Sequence, residues 1–248
     1  MLSKTCVETF FTKQVQTYLP HLSVDCVVFG FHDSDLKLLL TKWKHMNIWA
    51  LPGGYVGRRE SLDDAAHRVL RHRTGLRHVH LRQFHTFGTL NRREGSSRKL
   101  WDSLGVRAPR DAWPLHRVVS IGYYALVDFS RVRPKADYVS DACTWYPLRD
   151  RPMLAFDHDA MVEHALAALR ESLDSPTASA TLMPESFTMP ELQRLHEAIL
   201  GKPLDRRNFQ KRMLERGVLE RLPYRRTGGA HRAPFLYRFH SRLRRAGL

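Results

Sequence analysis

The residues with the clearest capacity for chemistry lie between positions 51 and 76. Gly53 and Gly54 follow a predicted strand and allow a tight turn, because glycine adopts backbone conformations that other residues avoid. Ser61 can cap the N-terminus of a helix over about residues 62–73, and Gly75 can end that helix. The sequence therefore predicts a loop, a helix and a second loop.

One face of this helix decides which chemistry is available. Positions 69 and 73 are four residues apart, so their side chains project from the same face. These side chains are Val69 and Arg73. Mg²⁺ requires oxygen ligands, and the fixed charge of an arginine would repel it. We therefore do not expect metal-assisted hydrolysis at this face, whereas Arg73 could bind a phosphate directly through charge-assisted hydrogen bonds.

The segment resembles a Nudix box, whose pattern is G, five residues, E, seven residues, then REUxEExGU, with U aliphatic. The fixed positions that agree are Gly54, Glu60, Arg68, Leu70, Gly75 and Leu76. The three positions that require glutamate are Val69, His72 and Arg73. In the Nudix family, Glu60 and Arg68 would form a chiefly structural pair. Because the three acidic positions are replaced, we expect a preserved Nudix scaffold that is not an enzyme and has no resident metal or cofactor.

Composition and charge limit the classes of function. The chain has 248 residues and a formal net charge of +15, so an anionic partner is expected. Residues 184–248 contain fifteen basic and six acidic residues, a net charge of +9. No apolar run is long enough for a signal peptide or a membrane span. Three cysteines without metal-ligand spacing fit a reducing compartment, so we expect a cytoplasmic protein without a membrane partner.

The order of elements predicts an α+β fold. After an N-terminal helical arm over residues 1–22, strands are expected at 24–32, 36–43, 78–88, 117–127 and 141–148. Together with the helix of the box they suit an α/β/α sandwich over residues 23–174, closed by an amphipathic helix at 157–173. Residues 92–114 look like an inserted basic surface loop, and residues 175–183 look like a linker.

The remaining residues, 184–248, predict a winged helix-turn-helix. Thr188 caps a helix that ends at Gly201, and Asp205 caps a second helix, in which Phe209, Met213 and Leu214 should be buried. Two short strands then flank a basic, glycine-centred hairpin. In this motif the second helix lies in the major groove, and the wing contacts the backbone or the minor groove.

Over residues 24–239 the chain resembles the Nudix-related transcriptional regulators, which join a degenerate Nudix domain to a winged helix. The phrases that carry the resemblance are WALPGGYV, LAFDHD, ELQRLHEAILGKPLDRRNFQKRML and AHRAPFLYRF. The resemblance implies a homodimer that binds double-stranded operator DNA and senses a small molecule in the Nudix domain. That effector would be a nucleotide, an NAD metabolite such as ADP-ribose, or a sugar such as arabinose.

Candidate site residues follow from the two halves of this resemblance. Family analogy predicts a ligand pocket beside the box, formed by Gly53, Gly54, Arg68 and Arg73, with Phe84 and Tyr123 as an aromatic wall. Both aromatic residues also suit an ordinary core. The predicted DNA contacts are Arg206, Arg207, Gln210 and Lys211 on the second helix, and Arg225, Arg226 and Gly228 in the wing.

Three classes of function remain open from the sequence. The preferred one is a ligand-responsive transcriptional regulator, in which effector binding changes the spacing of two recognition helices. The second is an active Nudix hydrolase that acts on a nucleoside diphosphate derivative and takes its acidic residues from outside the box. The third is RNA binding or a purely structural partner role. For the basic residues of the second helix, the alternative to DNA contact is that they form only the solvated face of a small helix.

Overall fold

We describe a computed structural model of the chain. It covers residues 13, 15–77, 79–90, 92, 98–99, 102, 112–137, 139–173, 175–225, 234–241 and 243, without the side chains of Arg131, Tyr224 and Arg225. The strands are β1 (Tyr18–His32), β2 (Asp35–Trp43), β3 (Trp49–Ala50), β4 (Gly53–Gly57), β5 (Leu81–Phe87), β6 (Val119–Val127), β7 (Ser140–Pro147), β8 (Phe187–Thr188), β9 (Leu219–Arg225) and β10 (Phe235–Phe239). The helices are α1 (Leu62–Thr74), α2 (His158–Ser172), α3 (Pro176–Leu182), α4 (Met189–Leu200) and α5 (Arg206–Glu215).

A seven-stranded sheet forms the centre of the N-terminal part. Its main path runs β3, β2, β1, β6, β5, while β4 pairs with β1 and β7 pairs with β2. On one face of β6, Tyr123 donates a hydrogen bond to Asp63 of α1. On the opposite face, next to Gly122, Phe87 of β5 packs against His164 of α2. One helix therefore lies on each face, which confirms the predicted α/β/α sandwich.

The beginning of the chain differs from the predicted helical arm. Lys13 and residues 15–17 are helical, but β1 starts at Tyr18, well before the predicted position 24. The first residue of β1, Tyr18, pairs with Gly57 of β4. The register of this pairing shifts between Tyr18 and Ser23. Pairing to a distant strand overrides the local preference in this stretch. Most of the predicted arm lies outside the described residues.

Helix α1 has the predicted boundaries because its caps are local. The Ser61 hydroxyl accepts a hydrogen bond from the Asp64 amide, and Gly75 ends the helix at φ 76° with its amide bonded to the Arg71 carbonyl. Asp63 and Asp64 in the first turn suit the positive end of the helix dipole. These contacts set the two ends of α1.

The segment between the predicted domains is ordered as helix. Residues 175–183, expected to be a linker, contain α3, which Ser175 caps and which buries Ala178, Ser179, Ala180 and Leu182. The chain divides into two compact units whose boundary falls inside α2, between Ala165 and Leu166. The second unit also includes residues 29–37 and 126–132.

The C-terminal elements form a winged helix. Helix α4 begins with a capping box, in which the Thr188 hydroxyl accepts from the Glu191 amide while the Glu191 carboxylate accepts from the Thr188 amide. Gly201 ends α4 at φ 71°, and Asp205 caps α5 by accepting from the Asn208 amide. Strands β8, β10 and β9 form a three-stranded sheet in that order.

The buried face of α5 is narrower than predicted. Phe209 and Met213 are buried, but Leu214 is 46% exposed, so its assignment to the buried stripe was wrong. Phe209 and Met213 are four residues apart and face the core from one side of α5. The residue after Met213 is turned about 100° further around the helix, toward solvent.

The helices of the described part of the chain are all too short or too polar to span a lipid bilayer.

Candidate functional site

The helix face that would hold metal in a Nudix hydrolase is filled by other groups. Val69 is buried against Gly54, and a β-carbon added to Gly54 would lie 2.9 Å from a Val69 methyl. Arg73 donates from Nε to the Gly53 carbonyl at 2.9 Å and from Nη1 to Asp137 at 2.7 Å. The Arg73 charge is thus already balanced by a carboxylate that is 8% exposed. His72 is exposed on α1.

Glu60 and Arg68 form the pair that the resemblance implied. Arg68 donates from Nη2 to Glu60 at 2.6 Å and from Nε at 2.9 Å, and a further bond reaches the Tyr55 carbonyl. The hydrogen bonds from Arg68 hold the pKa of Glu60 below its usual value, and Glu60 in turn raises the pKa of Arg68. Because Glu60 also accepts from the Gly57 amide, the pair ties the loop after β4 to α1.

The two aromatic residues predicted as one wall lie on opposite faces of the sheet. Phe84 packs beside Gly122 and lies 6.3 Å from the ring of Tyr124, on the side of α2. Tyr123 faces α1 instead. Its burial raises the pKa of the hydroxyl, and its hydrogen bond to Asp63 raises it further. Neighbouring residues of a strand point in opposite directions, so Phe84 and Tyr123 cannot line one pocket. Gly53, Gly54, Arg68 and Arg73 do lie together around α1 and β4.

A buried polar cluster next to Gly53 was not found from the sequence. Arg92 donates to both carboxylate oxygens of Asp157 at 2.8 Å and to the Val118 carbonyl, and its side chain is 2% exposed. Asp25 accepts from Ser120 and lies 3.9 Å from Arg92. The signal that could have found this cluster is the phrase LAFDHD, which contains Asp157.

His158, the next residue of that phrase, connects the cluster to the loop before β4. Its Nδ1 accepts a hydrogen bond from the Leu51 amide at 3.0 Å, which places the ring hydrogen on Nε2, 3.6 Å from Asp25. Asp25 and Gly53 are paired across β1 and β4. Leu51, in the loop before β4, and Gly53 of the candidate sensor site are therefore held in place by contacts with the buried residues His158 and Asp25.

Position 53 has no room for a side chain, so glycine is required there. A β-carbon there would lie 1.8 Å from an Asp25 carboxylate oxygen. We expect Gly53→Ala to lower the free energy of unfolding by about 1–3 kcal/mol, because Asp25 is held by Ser120 and cannot move freely. Gly88→Ala is the matched control, since its β-carbon would meet only ordinary contacts at 3.6 Å. Urea denaturation followed by tryptophan emission should separate the two variants; equal losses would contradict the steric argument.

The ends of the predicted insertion are anchored to the folded unit. Arg92 and Trp113 are buried, which differs from a surface loop at these two positions. The ring of Trp113 meets Tyr55 edge-on with centroids 4.5 Å apart, and Tyr55 belongs to β4. Most of the residues between these anchors lie outside the described part of the chain.

Helix α5 presents a basic surface. Arg206, Arg207 and Lys211 are exposed and Gln210 is partly exposed, so all four predicted base contacts face away from the core. On the inner side, Phe209 meets the edge of the His196 ring with centroids 5.1 Å apart. His196 of α4 is hydrogen-bonded through Nε2 to Ser179 of α3 at 3.0 Å. These contacts fix the orientation of α5.

The wing is described only at its base. Arg225 ends β9 opposite Phe235, with its side chain outside the described set, and Arg226 and Gly228 lie outside the described residues altogether. At the base, Arg221 stacks over the Phe235 ring at 4.3 Å and Arg238 pairs with Glu220 at 2.8 Å. The wing contacts therefore stay a prediction.

Comparisons with known proteins agree with both halves of the molecule. A family model described as the NUDIX domain matches residues 19–165, and one described as the NrtR DNA-binding winged helix domain matches residues 179–239. The chain is 31% identical over 227 residues to the "ADPR responsive transcriptional repressor NtrR" of Acinetobacter baylyi, covering 89% of this chain and 82% of that protein.

Two solved structures extend this similarity over most of the fold. The crystal structure of Shewanella oneidensis NrtR has a TM-score of 0.66 at 29% identity, covering 88% of this chain and 94% of that one. The structure of the same protein complexed with a 27mer DNA also has a TM-score of 0.66, at 30% identity, with 90% and 94% covered. The similarity includes both the sandwich and the winged helix.

Proposed function

Because this chain belongs to the Nudix-related transcriptional regulators, in which a Nudix domain precedes an NrtR-type winged helix, we propose that it is a repressor whose affinity for operator DNA responds to ADP-ribose or a related NAD metabolite. The observation that carries the proposal is the exposed basic surface of α5 in a winged helix. Asp205 caps this helix, and its residue Phe209 packs against His196, which is bonded to Ser179. The relative named as ADPR responsive favours this metabolite over a sugar.

The Nudix domain acts in this proposal as a sensor without hydrolysis. Val69 places an isopropyl group, and Arg73 a guanidinium, where metal-binding carboxylates would be needed. The Arg73 guanidinium lies beside the glycine loop and remains 29% exposed, so one edge can meet a ligand phosphate while Asp137 holds the other. The Glu60–Arg68 pair keeps that loop in place.

Regulation requires two states of a dimer with different DNA affinity. We propose that the protein is a homodimer, so that its two α5 helices contact half-sites about one helical turn apart. An effector that binds one state more tightly shifts the population toward that state. The factor by which the effector changes the affinity for DNA equals the factor by which DNA changes the affinity for the effector. A coupling of about 1–3 kcal/mol would change DNA affinity about 5- to 150-fold.

The first experiment tests both partners. Selection from a random double-stranded DNA library should recover a preferred site, and ADP-ribose should change the affinity for that site at least about fivefold in fluorescence anisotropy. Arabinose at the same concentration is the control and should have no effect. Selective DNA binding that no NAD metabolite alters would remove the sensor half of the proposal, and magnesium-dependent turnover of ADP-ribose would instead support a hydrolase.

The second experiment separates base contacts from phosphate contacts. Arg207→Ala should cost about 1–3 kcal/mol on the preferred site only, because a base contact carries sequence information. Arg225→Ala should weaken binding to all sequences alike and reduce the slope of log affinity against log salt by about one per subunit. Binding measured at several salt concentrations checks both variants. Equal effects of both on preferred and random DNA would overturn these roles.

A further inference from the structure

Leu214 is an apolar side chain in an unexpected place. It is 46% exposed on α5, although most large apolar side chains of the described winged helix are buried. The residues around it on α5 are strongly basic, with Arg206, Arg207, Lys211 and Arg212 against the single acid Glu215. Like-charge repulsion disfavours a basic partner for this surface, whereas an anionic partner that also carries an apolar group would match both of its properties.

The position of Leu214 on the helix is defined by its spacing from the predicted base contacts. It follows Gln210 by four residues and Lys211 by three, so the three side chains share one face. It is also seven residues, about two turns, from Arg207. Leu214 therefore extends the stripe of Arg207, Gln210 and Lys211 by one turn. It is turned about 100° around the helix axis from Met213, which contacts the core.

We propose that Leu214 determines part of the operator sequence by packing against the 5-methyl group of a thymine. In the major groove, the thymine methyl is the only apolar group that a base pair presents, and phosphates on both sides match the basic neighbours of Leu214. The two properties of this surface, positive charge and one apolar side chain, thus have one common partner. The inference rests on the proposed placement of α5 in the major groove.

The size of the effect follows from the methyl group alone. Removing one methyl from an apolar contact costs about 0.8 kcal/mol, which corresponds to about fourfold in affinity. A fourfold preference at one position in each half-site is large enough to measure and small compared with a bidentate arginine contact. Replacing thymine with uracil removes only this methyl and keeps the base pairing.

The test uses the full-length protein and the site recovered from a random double-stranded DNA library. Each thymine is replaced in turn with uracil, and affinity is measured for the wild type, Leu214→Ala and the control Asn208→Ala. Asn208 is also exposed on α5, but it is six residues from Leu214 and points about 120° away from it around the helix axis. We expect one thymine per half-site whose replacement weakens the wild type and Asn208→Ala about fourfold and leaves Leu214→Ala unchanged.

The outcomes separate this inference from the proposed function. If the wild type binds its site selectively but tolerates every uracil, or if Leu214→Ala is as sensitive as the wild type, the role of Leu214 is overturned and the regulator remains. If the wild type shows no sequence preference at all, both proposals fail. Leu214→Ala removes an exposed side chain, so circular dichroism and thermal unfolding should match the wild type and show that the variant is folded.

Discussion

Asp157→Asn should lower the free energy of unfolding of the Nudix domain by about 3–5 kcal/mol. The substitution keeps the size of the side chain but removes the charge of the carboxylate that accepts both bonds from Arg92, whose side chain is 2% exposed. The asparagine oxygen can accept only one of these bonds, and the next carboxylate, Asp25, lies 3.9 Å away. The buried guanidinium therefore loses charge-assisted bonding that it cannot replace with water. This loss is a large fraction of the stability of an ordinary domain.

The positions of the tryptophans make this effect measurable. All five lie between Trp43 and Trp145, so their emission during urea denaturation reports on the Nudix domain and not on the winged helix. Asp159→Asn is the matched control, because that carboxylate is 44% exposed in its pair with Arg151 and should contribute less than about 1 kcal/mol. Similar losses for the two variants would show that burial of the Arg92 pair does not matter.

The second large effect is a loss of winged-helix stability in acid. Burial lowers the pKa of His196 from 6.5 to about 4, and Arg212 and Arg216 add to that shift. Between these two values the unfolded chain binds more protons than the folded one, so the free energy of unfolding decreases as pH falls. The contribution is complete above about pH 6.5 and is lost by about pH 4, a change of about 3 kcal/mol.

Hydrogen exchange of peptides from α4 and α5 can follow this change, because the winged helix contains no tryptophan. Wild type and His196→Gln are compared at each pH, which removes the effect of pH on the intrinsic exchange rate. The glutamine can still bond to Ser179 but cannot be protonated. We expect protection to fall less steeply in the variant between pH 6.5 and 4.5, and identical pH profiles would exclude His196 as the cause.

Local signals predicted much of this fold. The bounds of α1 follow from Ser61 and Gly75, and those of α4 follow from Thr188 and Gly201, since each cap bonds to backbone within four residues. The alternating patterns of β2, β6 and β7 also gave strands within two residues of their observed limits. Where the deciding contacts are close in sequence, the sequence alone was sufficient.

Contacts between distant residues account for what the sequence did not predict. Arg92 looked like part of a solvated basic insertion, yet its partner Asp157 is 65 positions away. The small residues of α3 suggested a linker, but Ser179 bonds to His196 of α4 and the helix is buried there. In both cases a polar side chain is buried because another element supplies its hydrogen-bond partner.

Candidate site residues were predicted correctly where their position depends on spacing along one helix, and less well where it depends on contacts between elements. The basic stripe of α5 depends on helical spacing alone, and the structure exposes its residues as expected, with Leu214 added. The aromatic wall depended on which face each strand residue uses, and an irregular register between Gln83 and His85 cannot be deduced from alternation. The resemblance identified the Glu60–Arg68 pair, but nothing in the motif indicated that Asp137 would be the partner of Arg73.

The pairing of Arg73 with Asp137 has a consequence for any attempt to rebuild a metal-binding face on α1. The Arg73 guanidinium lies 2.7 Å from the Asp137 carboxylate, so a change at either position alters the charge balance of the other. Arg73→Glu alone would place two negative charges side by side in a partly buried site. A metal-binding face therefore requires a carboxylate at position 69 as well as at position 73, and Asp137 has to be neutralised or shared with the metal.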